Sequence, residues 1–226
     1  MHSSAFLTEL NLSADPWSPS NDSVTTMYTL MELSSPKSIL FLGASNASII
    51  GSMYAYQNYA KVHIVEEHEA ILQHVQKKAG VYKEGVTTEI VSTIEEKVQL
   101  EAKFKQPLHA DLDVAEEYRN KHDMLLSKPW EGERVTSRYK KVTGKYDFVV
   151  VDGPRKSGLG RALPLMEDIL EEKCLILWMN GMHDLVIEAI KYFDHDARYY
   201  DNSLSSFHLD TRDGLVITRI LDEEII

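Results

Sequence analysis

The sequence holds a single cysteine, Cys174, so no disulfide can form within the chain, and so little thiol points to a reducing compartment. That cysteine lies in Lys173-Cys-Leu-Ile-Leu-Trp178, an apolar strand, where a core thiol is expected rather than a nucleophile. No run approaches the roughly 18 uncharged apolar residues of a membrane-spanning helix, so no membrane association is expected. The opening Met-His-Ser-Ser-Ala-Phe-Leu has neither a basic region nor a continuous apolar segment, which argues against a secretory signal and for a cytoplasmic protein. Positive charge is also scarce. The chain has 24 Lys and Arg against 35 Asp and Glu, and the net charge of −11 repels polyanions and disfavours general nucleic-acid binding. Several catalytic signatures are missing: a Gly-x-Ser-x-Gly elbow, a His-Glu-x-x-His zinc helix, paired cysteine knuckles, the dinucleotide glycine fingerprint and a phosphate loop ending in Gly-Lys-Ser/Thr. Hydrolysis is therefore a poorer expectation than cofactor-dependent transfer.

What is present is an α/β rhythm. The 226 residues suit one α/β domain with appendages, and hydrophobic residues at 43% suit a globular core. We read residues 1–35 as an N-terminal arm and leading helix and 36–226 as a single domain. Strands are expected at 38–43, 62–65, 88–91, 147–151, 174–179, 197–201 and 215–220. Helices are expected at 23–34, 48–60, 69–79, 162–171 and 184–193, with Gly80 ending the third. Alternation of this kind makes a parallel sheet with right-handed crossovers the economical arrangement. The connector 202–212 is too short for a crossover helix, so the last strand should run antiparallel to its neighbour. A charged insertion at about 94–145, with helix-like stretches at 94–104 and 111–127, interrupts the rhythm and offers a specificity element or a partner surface. Either it or the arm is a route to a homo-oligomer. Within it Arg134, Arg138, Lys140, Lys141 and Lys145 form a basic run that is either a solvated connector or a greeting for an anionic small substrate.

Chemistry is expected where strands end, because ligands of open α/β sheets bind beyond the carboxyl ends of the strands. Tyr146-Asp-Phe-Val-Val-Val-Asp-Gly-Pro154 is a buried strand that delivers Asp152 to such a position, as metal ligand, proton acceptor or organiser of the turn. Arg155, Lys156 and Arg161 follow closely. These cations are expected to depress the Asp152 pKa and to serve an acidic substrate group. Lys37-Ser-Ile-Leu-Phe-Leu-Gly43 runs into Ala-Ser-Asn-Ala-Ser48, where Gly43 permits close backbone approach and Ser45 and Asn46 can donate hydrogen bonds. Glu66, or its neighbour Glu67, ends the second strand and can accept two hydrogen bonds from ribose hydroxyls. Ser92 and Thr93 follow the third strand, near where an adenine would lie. Asn180 offers a neutral oxygen to a divalent cation, and His183 either accepts a proton or caps the next helix.

The ordered set Ile39-Leu-Phe-Leu-Gly43, Ile64-Val-Glu66, Tyr146-Asp-Phe-Val-Val-Val-Asp-Gly-Pro154 and the closing strand resembles class I S-adenosylmethionine-dependent methyltransferases. The likeness is greatest to small-molecule O-methyltransferase-like branches. It implies a Rossmann-like sheet, mostly parallel with an antiparallel last strand and helices on both faces. It further implies S-adenosyl-L-methionine held at Gly43, Ser45, Asn46, Glu66, Ser92 and Thr93, with catalytic work by Asp152, Lys156 and His183. Asp152 and Asn180 would be the ligands of any Mg²⁺. The implied reaction is methyl transfer to an oxygen of a small polar metabolite or saccharide precursor. Two alternatives stay open: a noncatalytic methyltransferase-like assembly module, suited by the altered first turn and Met179-Asn180, and a nicotinamide-dependent oxidoreductase, whose glycine fingerprint is missing.

Overall fold

The computed structural model describes residues 18–100, 132–155, 157–199, 203–209 and 211–221. Helix α1 (Asn21–Ser34) leads into β1 (Ser38–Leu42), α2 (Asn46–Asn58), β2 (Lys61–Glu66), α3 (Glu69–Ala79) and β3 (Val86–Ile90). Then come β4 (Thr93–Leu100), β5 (Gly132–Tyr139), β6 (Tyr146–Val151), β7 (Leu170–Trp178), α4 (Asp184–Tyr199), β8 (Ser203–Leu209) and β9 (Leu215–Leu221). Seven strands form one sheet in the order β3-β2-β1-β6-β7-β9-β8, and β4 and β5 pair by themselves as an antiparallel ladder. β1 lies between β2 and β6, parallel to both, while β9 runs antiparallel to β7 and to β8. The architecture is the expected α/β sheet, mostly parallel, with helices on both faces.

Strand alternation explains the two cores. Ile39 and Phe41 face one side of the sheet and pack with α1, α2 and α3 through Met27, Met31, Ile50 and Leu72. Leu40 and Leu42 face the other side, with Val149, Val151, Trp178 and the α4 residues Val186, Ile190 and Phe193. Strands covered on both faces read as continuous apolar runs, as β1 and β6 do. Helix α2 is buried from Asn46 through Ala55 because α1 and α3 pack against it in addition to the sheet. Gly51 permits this closeness: a Cβ there would lie 2.3 Å from the Phe41 ring. Asp147 pins the start of β1 to β6 by accepting hydrogen bonds from the Lys37 and Ser38 amides at 2.8 and 3.0 Å.

Several expected elements differ. Residues 94–100 are strand, not helix, and within 94–145 the described residues form the β4–β5 hairpin and its link to β6. Val98 and Leu100 satisfy a helical spacing with Ile94 only loosely, but their two-residue period buries both while Lys97 and Gln99 stay exposed. The helix-like stretch 111–127 lies outside the described residues, as do Trp17 and most of the arm. In place of a helix at 162–171, two short 3₁₀ turns, Leu159–Arg161 and Leu163–Met166, lead directly into β7, which begins at Leu170. Pro164 removes an amide donor from that segment, and Gly158 and Gly160 do not favour helix. Of the strand expected at 197–201, residues 197–199 are the end of α4 instead, and 200–201 lie outside the described residues. No glycine or proline stands between Asp184 and Asp213 to stop the helix, so the next strand starts at Ser203. The connector of the final antiparallel pair is correspondingly shorter than 202–212.

Candidate functional site

The carboxyl ends of β1, β2 and β6 lie side by side at one rim of the sheet, and three turns leave from there. Gly43 follows β1 with φ at +95°, a left-handed conformation that glycine adopts without strain. Its position is tight for a second reason. A Cβ on Gly43 would stand 2.7 Å from the Gly153 amide nitrogen, so the turns after β1 and β6 touch backbone to backbone.

Ser45 then caps α2. Its hydroxyl oxygen accepts from the Ala47 amide at 3.1 Å, the Ser48 hydroxyl accepts from the Ser45 amide at 3.1 Å, and together they close a capping box. Asn46 opens the helix and is buried. The signal for this cap was the Ser-x-x-Ser spacing itself, and it shows that the Ser45 hydroxyl has structural work to do.

Of the two acids ending β2, Glu66 turns inward and is 3% exposed, while Glu67 is half-buried and accepts a hydrogen bond from the Thr93 hydroxyl at 3.0 Å. One Glu66 oxygen accepts the Ala44 amide at 2.9 Å, and the other accepts the Glu67 and His68 amides at 2.8 and 3.0 Å. A carboxylate has about four acceptor sites, so three amides leave room for about one ribose hydroxyl rather than the expected two. Thr93 opens β4, and Ser92 is exposed with its carbonyl taken by the Lys140 amide.

Asp152 is 9% exposed and hydrogen-bonded by Ser45 across the junction of the two turns. The cations near it were expected to lower its pKa, and here the structure corrects the expectation. Burial outweighs the Ser45 hydrogen bond and the charges of Arg161 and Arg155, and together with the nearby Glu66 carboxylate it pushes the Asp152 carboxyl upward. Glu66 and Asp152 are thus close enough to influence each other, as their sequence positions implied.

Arg161 is 7% exposed. Its Nε donates to the Ser157 carbonyl at 2.9 Å, and Nη1 is buried without a hydrogen-bond partner. Burial lowers its pKa, while Asp152 and Tyr139 act in the opposite sense. The turn is held down by the hairpin. Gly160 donates its amide to the Thr136 hydroxyl at 2.9 Å, that hydroxyl pairs with Ser157 at 2.9 Å, and a Cβ on Gly160 would fall 1.7 Å from the Ser137 carbonyl oxygen.

Tyr139, at the end of β5, was not foreseen. It is 1% exposed and reaches into the same rim, where burial and the charges of Glu66, Glu67 and Asp152 push its phenol well above the usual range. The basic run around it gave no sign of an inward aromatic. That run is itself mostly paired: Arg134 with Glu188, Arg138 with Glu96 and Glu167, and Lys145 with Asp168. It is a salt-bridged surface rather than an open anion patch.

Asn180 follows β7, whose end pairs with β6 through Trp178 and Val151, so it leaves the sheet at the same rim as Asp152. His183 is exposed, and its Nδ1 accepts the Leu185 amide at 3.2 Å, so it caps the start of α4. Asn180 is half-buried in a left-handed turn at φ +56°, with its carbonyl accepting from the His183 amide. Lys156 lies outside the described residues. Cys174 is buried and its thiol is pushed far upward, which makes it inert core packing. The donor set does not suit Mg²⁺. Among the described residues no three His, Cys, Asp or Glu side chains converge, whereas a hard cation needs several oxygen ligands.

No protein-family profile and no curated protein matches the chain. Solved structures do. Podospora anserina methyltransferase PaMTH1 with bound SAH superposes with a TM-score of 0.55 at 12% identity, over 98% of this chain and 88% of that one. The O-methyltransferase from Bacillus cereus, in complex with SAH, gives 0.55 at 11% identity over 97% and 89%. TomG from Streptomyces achromogenes, an O-methyltransferase involved in tomaymycin synthesis and solved with SAM, gives 0.54 at 12% identity over 98% and 91%. The chain therefore has the class I methyltransferase fold, in the form found in O-methyltransferases.

Proposed function

We propose that the protein transfers a methyl group from S-adenosyl-L-methionine to an oxygen of a small polar metabolite or saccharide precursor. One observation carries this reading: Glu66 and Asp152 come together, inward and buried, at the carboxyl rim of a sheet whose fold is that of O-methyltransferases. The rim suits the cofactor. Glu66 keeps about one acceptor site for a ribose hydroxyl, and Arg161 Nη1 is a buried donor awaiting an anionic oxygen beside Asp152.

When bound, S-adenosylmethionine supplies the activated methyl group. The protein contributes placement: α2 directs its amino-terminal end at the rim, Tyr139 roofs the site from the hairpin, and the buried surroundings keep water from the acceptor oxygen. Asp152 is the proton acceptor in this reading, because burial raises its pKa and makes its carboxylate a stronger base than an exposed one. His183 is left to its capping role.

Calorimetric titration with S-adenosylmethionine and S-adenosylhomocysteine, with and without Mg²⁺, should give saturable heats that do not depend on the metal. Absence of saturation at millimolar cofactor in both conditions would sink the reading. That result would favour the noncatalytic module instead.

A further inference from the structure

The ends of β1, β2 and β6 are covered rather than open. Glu66, Asp152, Arg161 and Tyr139 are 3, 9, 7 and 1% exposed, whereas a ligand hollow of about 300 Å³ or more would leave the side chains lining it open to water. The β4–β5 hairpin fills the space. Tyr139 belongs to one buried cluster with Leu42, Val65 and Val151, which stand at the rim ends of the three strands, and Val98 and Leu100 of β4 join the same cluster. The Tyr139 hydroxyl lies so close to the turn after β6 that a Cβ on Gly153 would stand 2.8 Å from it.

The cover is nevertheless not built as permanent core. Among the described residues β4 and β5 pair only with each other, so no ladder of hydrogen bonds ties them to the main sheet. Their joints to it, Ser92 and residues 140–145, are neither helix nor strand. Polar fastenings hold the hairpin down through side chains that water can satisfy instead: the hydroxyls of Thr136 and Ser157 at 2.9 Å, Thr93 donating to Glu67 at 3.0 Å, Arg138 with Glu167 and Arg134 with Glu188. Beneath it, Nη1 of Arg161 is buried without a partner and Asp152 is held where burial resists its charge. Lifting the hairpin hydrates both groups, which offsets part of the cost of exposing its apolar face.

We propose that the β4–β5 hairpin is an autoinhibitory cover: seated, it lays Tyr139 over the rim and shuts the cofactor out, and hinged away at Ser92 and 140–145 it lets the cofactor in. This rests on the reading of the rim as the cofactor site and adds what controls entry to it. Cofactor then selects the open form, so the measured association constant is the intrinsic one multiplied by the open fraction. Holding the hairpin down weakens cofactor binding, and loosening it strengthens that binding.

The test staples the cover shut. The Thr136 and Ser157 hydroxyl oxygens are 2.9 Å apart, one on β5 and the other on the turn after β6, so cysteines at both positions bring their sulfurs within reach of a bond. Cys174, the chain's own cysteine, is buried and stays out of the reaction. S-adenosylhomocysteine is titrated calorimetrically into Thr136→Cys/Ser157→Cys, first oxidised and then reduced, beside wild type treated likewise and Tyr139→Ala. The disulfide should weaken binding by about tenfold or more and reduction should restore it, while Tyr139→Ala should bind more tightly than wild type by a similar factor. Equal affinity of the oxidised and reduced staple overturns the proposal and leaves the methyltransferase reading standing, because cofactor then enters with the hairpin held down. That comparison decides even where Tyr139→Ala does not fold. Binding by no form, the reduced staple and Tyr139→Ala included, defeats the methyltransferase reading and the proposal with it.

Discussion

The turn after β1 and the turn after β6 meet backbone to backbone, yet they treat their polar groups in opposite ways. In the first, described polar atoms find partners within the protein: Ser45 and Ser48 satisfy each other and the helix start, and Glu66 collects the amides of Ala44, Glu67 and His68. In the second, Arg161 is buried with Nη1 unmet, and Asp152 is held in an environment that resists its charge. A satisfied turn is architecture, whereas an unsatisfied one is tolerated only where something else completes it. The difference moves attention from the glycine-serine loop, which sequence patterns favour, to the Asp152–Arg161 turn.

The contrast can be broken most forcefully at Gly160. Substituting alanine places a methyl against the Ser137 carbonyl, so Gly160→Ala should cost about 3 kcal/mol in urea denaturation. A near-neutral result would mean that the hairpin does not fix the turn. Glu66→Gln comes next. With one carboxylate oxygen replaced by a donor, the buried amides lose an acceptor, and about 2 kcal/mol of stability should go with it, with weaker cofactor binding in the same calorimetric assay. Ser45→Ala removes a helix cap and should cost about 1 kcal/mol.

Asp152 sharpens the comparison through pH. Its folded-state pKa is raised above the ordinary 3.8, so between those values the folded chain binds more protons than the unfolded one. Stability should therefore fall as pH rises through that window, and the penalty is complete above the folded-state pKa. Asp152→Asn escapes it. Melting curves across the acid-to-neutral range should show the variant gaining on wild type with increasing pH, and the gain disappearing in acid. A pH-independent difference would remove the argument that burial dominates. The smallest effect belongs to the surface: Lys145→Ala breaks an exposed ion pair with Asp168 and should shift stability by no more than about 0.5 kcal/mol.

The middle of the sheet was legible because β1 and β6 are covered on both faces and so appear as uninterrupted apolar runs. The rim acids Glu66 and Asp152 followed from their places at strand ends. The hairpin was not legible, since Ile94 and Val98 stand four apart as in a helix while Val98 and Leu100 alternate as in a strand, and only pairing with β5 decides between them. The sign of the Asp152 shift was misjudged for a related reason: neighbouring cations are visible along the chain, but the desolvation that outweighs them depends on what folds over the turn. Tyr139 and the orphaned Arg161 donor are long-range consequences of that same packing.

The place of β9 bears on how the molecule is made. Residues 215–221 slot between β7 and β8, so β8 joins the sheet only through this last strand. While the ribosome is still adding those residues, β1, β2 and β6 already have their lateral partners, and β8 has none. An unpaired edge of this kind is where a nascent chain invites a chaperone or a stray strand, so interruption of synthesis before residue 215 should yield aggregation-prone chains rather than a smaller folded unit.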